Sequence, residues 1–266
     1  EFHLGSEHPD AWRIAVNRNS FALTVYVDPR PLRVLDKYTE DTGRPPIPAP
    51  WVFGPRRRSG YNTFVEGKVE WQMFRERGVP TTAIDDAVHF LPHLSQLGIE
   101  NTLMAWTQTL HDNGFKAIAY NNPYISMTNE RAGPDFEYGE ANGFFVRDTG
   151  GQPGETFFVS GNLQTLATID LSNPSAVTWF QDLLRRTLAL GYDGWMHDFG
   201  EYIERDWSLA GGRGDEMHNA FPVLSAKAAF DLLEAERPND YLFFVRSGYT
   251  GTQAVVPAVW GGDPES

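Results

Sequence analysis

From residue 51 onward, short apolar runs alternate with longer amphipathic ones, and the short runs end in polar or charged residues. This rhythm limits the possible folds more than any other feature, because strands that alternate with helices build a parallel α/β sheet. Strands are expected at residues 51–54, 81–85, 116–120, 195–198, 242–246 and 255–260. Helices are expected at 65–77, 101–113, 174–190 and 220–236. Asn173-Pro174 supplies an N-cap followed by proline at the first helical position, and Gly114 and Gly191 stop two of the helices. Polar residues at the strand ends favour a (β/α)8 TIM barrel, whose sites gather at the C-terminal face. Six β/α units fit, and two more would be required. An open doubly wound sheet would need a glycine-rich phosphate turn after the first strand, and Gly54-Pro55-Arg56 is no such turn. About 50 residues after 120, rich in Gly and Phe, are expected to carry small strands of their own.

Ahead of the alternation, Phe21, Leu23, Val25 and Val27 share one face of an expected strand. Six prolines between Pro29 and Pro50 then mark a junction. Residues 1–47 are accordingly assigned to the C-terminal part of an N-terminal β-sandwich plus a linker, and 48–266 to an incomplete catalytic barrel. With 41% apolar residues, the 266-residue chain can bury a substantial core. A net charge of −13 argues against nucleic acid as a partner. No apolar run approaches the ~20 residues of a membrane span. The absence of cysteine excludes disulfides and thiolate metal sites.

The run Gly191-Tyr192-Asp193-Gly194-Trp195-Met196-His197-Asp198-Phe199-Gly200, closed by Glu201, reads as a buried strand that delivers Asp198 into a loosened turn. Trp260-Gly261-Gly262-Asp263 is a second such turn. Two carboxylates at the ends of separate strands suit glycosidic bond cleavage. One attacks the anomeric carbon and one protonates the leaving oxygen, about 5–5.5 Å apart in retaining enzymes and about 6.5–9.5 Å in inverting ones. The plainer alternative for either aspartate is a helix cap. Arg246 leaves an apolar strand and needs a carboxylate or ligand partner. Of Asp85 and Asp86, alternation lets only one face the barrel centre, and Asp85 is favoured as an acceptor of sugar hydroxyls, with a helix cap as its alternative. Trp195, Phe199 and Trp260 are candidate stacking walls, against ordinary core packing. Glu201 completes the substrate-binding set.

Other signals are set aside. Asp198-Phe199-Gly200 lacks the accompanying kinase loops, and no Gly-x-Ser-x-Gly elbow exists. His89 and His93 at i and i+4 lack the glutamate of a zincin helix and carry Pro92 between them, so no metal and no cofactor are assigned.

Residues 191–201, the stretch Arg246-Ser247-Gly248-Tyr249-Thr250-Gly251-Thr252-Gln253 and Trp260-Gly261-Gly262-Asp263 together resemble glycoside hydrolase family 31. Residues 35–51 resemble its passage from β-sandwich to barrel. The resemblance implies α-glycosidase chemistry on a carbohydrate by double displacement, with Asp198 as nucleophile and Asp263 as acid/base. It further implies Arg246 and Asp85 as substrate-binding groups and Trp195 and Trp260 as aromatic walls. Asp-Phe-Gly-Glu at 198–201, with His218-Asn219 after it, is similar to the sulfoquinovosidase-like branch. Ile84-Asp85-Asp86-Ala87 departs from that branch's Gln-Asp-Trp, although Arg56 to Arg58 offer cationic charge by another route. An α-glucosidase-like exo-hydrolase is therefore expected, with a sulfoquinovosidase or a carbohydrate-binding relic as alternatives. Family members carry more sandwich before this region and two more strands after it. The rest of the barrel is thus an expected partner, and the isolated chain is expected to expose a sheet edge and to be poorly soluble or inactive.

Overall fold

The computed structural model describes residues 2–6, 8–16, 19–158 and 164–262. The chain divides into two compact units, Glu1–Asp41 and Thr42–Ser266, a break just ahead of the expected junction at 47. In the first unit Phe2–Leu4 pairs antiparallel with Trp12–Ile14, and Pro31–Thr42 forms a helix. Residues 21–27 are not the expected strand: they join no ladder, and Phe21, Leu23, Val25 and Val27 are exposed. The pattern alternates, but among the described residues no neighbouring strand takes up its backbone hydrogen bonds.

The second unit is built on a six-stranded sheet: β1 (Arg56–Arg58), β2 (Ala83–His89), β3 (Lys116–Asn121), β4 (Gly194–His197), β5 (Leu242–Val245) and β6 (Ala258–Val259). They lie in sequence order and all pair in parallel. Helices α1 (Glu70–Glu76), α2 (Glu100–Asp112), α3 (Pro174–Ala189) and α4 (Phe221–Glu236) supply crossovers. As expected, Asn173 caps α3, its side chain accepting the Ser175 N–H.

The sheet is curled. Ala83 on β2 shares a cluster with Leu242 and Phe244 on β5, although three flat strand spacings would separate them by roughly 14 Å. The Arg56 guanidinium of β1 lies 4.2 Å over the Phe244 ring. Ile118, Met196 and Trp260 join this inner cluster, whereas Trp195, Phe243 and Val245 point outward into the larger core shared with the helices. The arrangement is a partial (β/α)8 barrel filled by inward side chains.

Three expected elements move. In place of the strand expected at 51–54 there is a 3-10 turn, Pro50–Phe53, opened by a proline whose fixed φ suits a first helical position; Trp51 and Val52 pack against the inner cluster, and β1 begins at Arg56. The helix expected from 65 starts only at Glu70, after a hairpin of Phe64–Val65 with Lys68–Val69. Its turn residues Glu66 and Gly67 both have positive φ, the signature of a tight hairpin turn. Residues 255–260 contribute only Ala258–Val259 as strand. The long connection after β3 does carry strands: Tyr124–Ser126, Glu155–Phe158 and Gln164–Thr168 pair antiparallel beside the helix Gly133–Ala141. No helix among the described residues is long and apolar enough to cross a membrane.

The bottom of the barrel is tied by Asp193, just before β4. Its side chain, 1% exposed, receives His111 Nε2 from the end of α2 at 2.6 Å, Lys116 Nζ at 3.1 Å and the Ala117 N–H at 2.9 Å from β3. Arg237, at the end of α4, adds its guanidinium. Burial works against the charge, but the His111 bond, the Ala117 N–H and the Arg237 charge outweigh it and hold the pKa below the ordinary aspartate value. Next to it, Gly194 leaves no room for a side chain: a Cβ there would stand 1.7 Å from the Leu242 carbonyl oxygen. Asp193→Ala leaves the Ala117 N–H unpaired and takes the buried partner from Lys116 and Arg237, which keep only the more exposed Asp240 as a carboxylate, so unfolding in urea should show a loss of about 3–5 kcal/mol near neutral pH. The deficit should narrow as pH falls below the ordinary aspartate pKa of ~3.9, where the native carboxylate loses its advantage. A loss below about 1 kcal/mol would show that the node is not a fastening point.

Candidate active site

The C-terminal ends of the strands open into a cavity of about 430 Å³ whose wall includes Arg56, Arg58, Asp85, Tyr120, Asp198 and Arg246. Parity along each strand decides which residues reach it. On β4, Met196 points inward, Trp195 and His197 outward, and Asp198, one residue past the strand end, returns to the cavity. On β5, Phe244 points inward and Arg246 follows it two residues later. Since His197 pairs with Val245, Asp198 and Arg246 emerge in the same layer.

Asp198 is 6% exposed and tightly held. Its Oδ2 accepts the Tyr120 hydroxyl at 2.7 Å, and its Oδ1 accepts the Phe199 N–H at 3.0 Å with Arg246 Nε at 3.4 Å. Burial raises its pKa, against the Tyr120 bond, the Arg246 charge and the Phe199 N–H, which favour the ionised form. Phe199 has φ 63°, a left-handed backbone that costs a bulky residue about 1–3 kcal/mol, and the Ser247 hydroxyl donates to its carbonyl. Arg246 stacks 3.8 Å over the Phe199 ring while its Nη2 donates to Glu201 Oε1 and, at 3.3 Å, to the Tyr202 hydroxyl. One guanidinium thus joins Asp198, Phe199 and Glu201.

Asp85 faces inward as expected. Burial raises its pKa against Arg56 and Arg58; Arg56 Nη1 lies 3.7 Å from Oδ2, and Oδ1 is buried with no hydrogen bond among the described residues. Asp86 points away and accepts the Tyr192 hydroxyl and the Val88 N–H, the latter at 3.0 Å. His89 also reaches the cavity, its ring stacked on Tyr120. Trp260 lies on its rim and on that of a second space of about 480 Å³ that also borders Glu201, His218 and Gly262.

Not every expected site residue is there. Trp195 is fully buried and its indole donates to His197 Nδ1 at 3.1 Å, so it presents no face to a ligand, and Met196 lines the cavity in its place. Asp263 lies outside the described residues, which end with Gly262 in this segment. Phe199, Glu201, Arg246 and Trp260 cluster around Asp198, with Asp85 on the facing wall. Sequence reasoning missed Tyr120 and His89. Tyr120 was within reach of the alternation rule, since it lies two residues after inward-facing Ile118.

The family model described as "Glycosyl hydrolases family 31 TIM-barrel domain" matches residues 45–266. A sulfoquinovosidase of Agrobacterium fabrum is 36% identical over 176 residues, 65% of this chain and 24% of the relative, so the chain spans about a quarter of that protein. The solved structure of a family 31 sulfoquinovosidase from E. rectale, in complex with an aza-sugar inhibitor, aligns with TM-score 0.71 at 26% identity, covering 87% of this chain and 36% of that one. A cycloalternan-degrading enzyme from Trueperella pyogenes, solved in complex with a covalent intermediate, aligns with TM-score 0.70 at 26% identity, covering 88% and 36%. These relatives are glycoside hydrolases. With the family model spanning nearly the whole of the second unit, the chain belongs to glycosyl hydrolase family 31 through its TIM-barrel domain.

Proposed function

We propose that the protein carrying this chain is a retaining, exo-acting α-glycoside hydrolase in which Asp198 is the nucleophile. The observation that carries this reading is the setting of Asp198: a carboxylate buried at a strand end, held by a phenol, a guanidinium and a backbone N–H, and open on a cavity the size of a small-molecule site. Attack of Asp198 on the anomeric carbon forms a glycosyl-enzyme as the leaving oxygen takes a proton, the role assigned to Asp263. Water, deprotonated by the same group, then cleaves that ester with the α configuration retained. Asp85 and Glu201, each with an oxygen lacking a hydrogen bond among the described residues, are assigned to sugar hydroxyls. Arg246 and Trp260 complete the binding wall. The covalent intermediate in the cycloalternan-degrading enzyme supports a double displacement.

For the sugar, an α-glucoside is the first reading. Two guanidinium groups on the cavity wall, Arg56 and Arg58, with Asp85 the one carboxylate among the described residues near enough to Arg56 for an ion pair, favour a second: a glycone bearing an anionic group, as the sulfoquinovosidase relatives would suggest. In the full-length protein, a 5-fluoro α-glucosyl fluoride and a sulfoquinovose-configured trap, read by intact mass and peptide mapping, should separate the two. A covalent adduct on Asp198 is expected from one of them, and an adduct on another carboxylate would refute the assignment. Asp198→Ala should lower kcat by roughly a thousandfold or more, the scale of losing a nucleophile. Tyr120→Phe removes a bond that favours the carboxylate, so the acid limb of kcat/KM should move to higher pH. A limb that stays put or moves to lower pH would contradict that role.

A further inference from the structure

We propose that His89 is a positioning residue for the nucleophile: its ring is the platform that holds the Tyr120 hydroxyl against Asp198. The inference rests on Asp198 being the nucleophile. The Tyr120 and His89 rings are stacked with centroids 4.1 Å apart and planes 15° from parallel, and His93 stacks on His89 at 5.7 Å and 11°. The column runs from the cavity wall to the phenol that donates to Asp198 at 2.7 Å.

Local backbone irregularity puts His89 under Tyr120. Between Asp85 and His89 the β2–β3 register shifts: Asp85 pairs with Ile118, yet His89, four residues on, pairs with Tyr120, only two residues on. Such a bulge re-aims a side chain that regular pairing would send elsewhere. Asp86 stabilises it, one carboxylate oxygen accepting the Val88 N–H inside the bulge and the other the Tyr192 hydroxyl. Beyond the bulge, Phe90 N–H donates to the Tyr120 carbonyl at 3.0 Å and Ser95 N–H to the His89 carbonyl at 2.9 Å, so the backbone is pinned on both sides.

The platform is an uncharged ring. Burial, with His93 and Arg58 adding to it, pushes the His89 pKa down to about 4, so at neutral pH the ring is neutral and does not compete for the carboxylate. The groups facing the Tyr120–Asp198 pair are Arg246 from beyond β5 and Glu201 from beyond β4; those facing His89 are His93 and Arg58. What His89 contributes is therefore a flat surface. Without it the phenol is free to swing away, and Asp198 keeps Arg246 and the Phe199 N–H but loses its Oδ2 donor.

The test compares His89→Phe, which keeps a flat ring and removes the nitrogens, with His89→Leu, which removes the ring, in the full-length protein. His89→Leu should lower kcat by about tenfold or more with KM changed less than about threefold, as misplacement of a reacting group does. Its acid limb should move to higher pH, as in Tyr120→Phe, and in a Tyr120→Phe background it should cause no further shift. His89→Phe should stay within about threefold of wild type in kcat, with its acid limb unmoved. Equal losses in the two variants would overturn the proposal by showing that the ring nitrogens matter, and so would an unmoved acid limb in His89→Leu. Misfolding is separated from misplacement by the acid limb of His89→Leu, since a smaller folded fraction lowers kcat without moving the limb. Mechanism-based labelling of the wild type keeps the two ideas apart. Labelling at Asp198 with unaltered His89→Leu kinetics sinks the platform alone, and labelling elsewhere sinks the nucleophile assignment beneath it.

Discussion

A barrel site needs strands that end at the same height, and in this chain that condition depends on one buried carboxylate at the other end of the sheet. Asp193 gathers the start of β3, the end of α2, the end of α4 and the start of β4 around a single charge. Because parallel strands rise by about 3.3 Å per residue, a slip of one residue at the bottom would displace the top by that amount and invert the facing of every side chain. Three or four residues above the node's β3 contacts stands Tyr120, and five residues above Asp193 stand Asp198 and, level with it on the next strand, Arg246; the three meet within hydrogen-bonding or ion-pairing distance. The close approach at Gly194 acts with the node, since β4 and β5 can pair at that height only if no side chain stands between them.

The site itself is held by competition between burial and charge. Asp198 and Asp85 are both carboxylates that burial drives toward neutrality, and both are countered by arginines from neighbouring strands. Two of these arginines also stack on an aromatic ring, Arg246 on Phe199 and Arg56 on Phe244. A guanidinium lying flat on a ring keeps its edge free for oxygens, which is why these positions suit arginine and not lysine.

Much of this was legible in the sequence where a signal was doubly determined. β4 and β5 were clear because they are apolar on both faces and bounded by glycine or a charged residue, and α3 because Asn173-Pro174 fixes its start. β1 was placed too early, since Trp51-Val52-Phe53 looks like a strand, while the actual strand is Arg56-Arg57-Arg58, whose composition gives no hint of one. Residues 21–27 carried a strand pattern with no partner to realise it. Trp195 shows the limit of motif reading: it sits in the motif that carries Asp198, yet odd and even residues of a strand face opposite ways, and its place is the helix-facing core. The bulge in β2 was invisible, because it arises from an aspartate that bonds back to the backbone two residues on and from a tyrosine more than a hundred residues away.

Phe199 makes the turn after β4 expensive, and the expense has a direction. A glycine there would relax the backbone, but it would also remove the ring that packs on Tyr124 and Leu166 and carries Arg246, and loosen the peptide N–H that grips Asp198. The strain at the backbone is held in place by the ring's own contacts, so the same side chain that makes the turn costly is what keeps it closed.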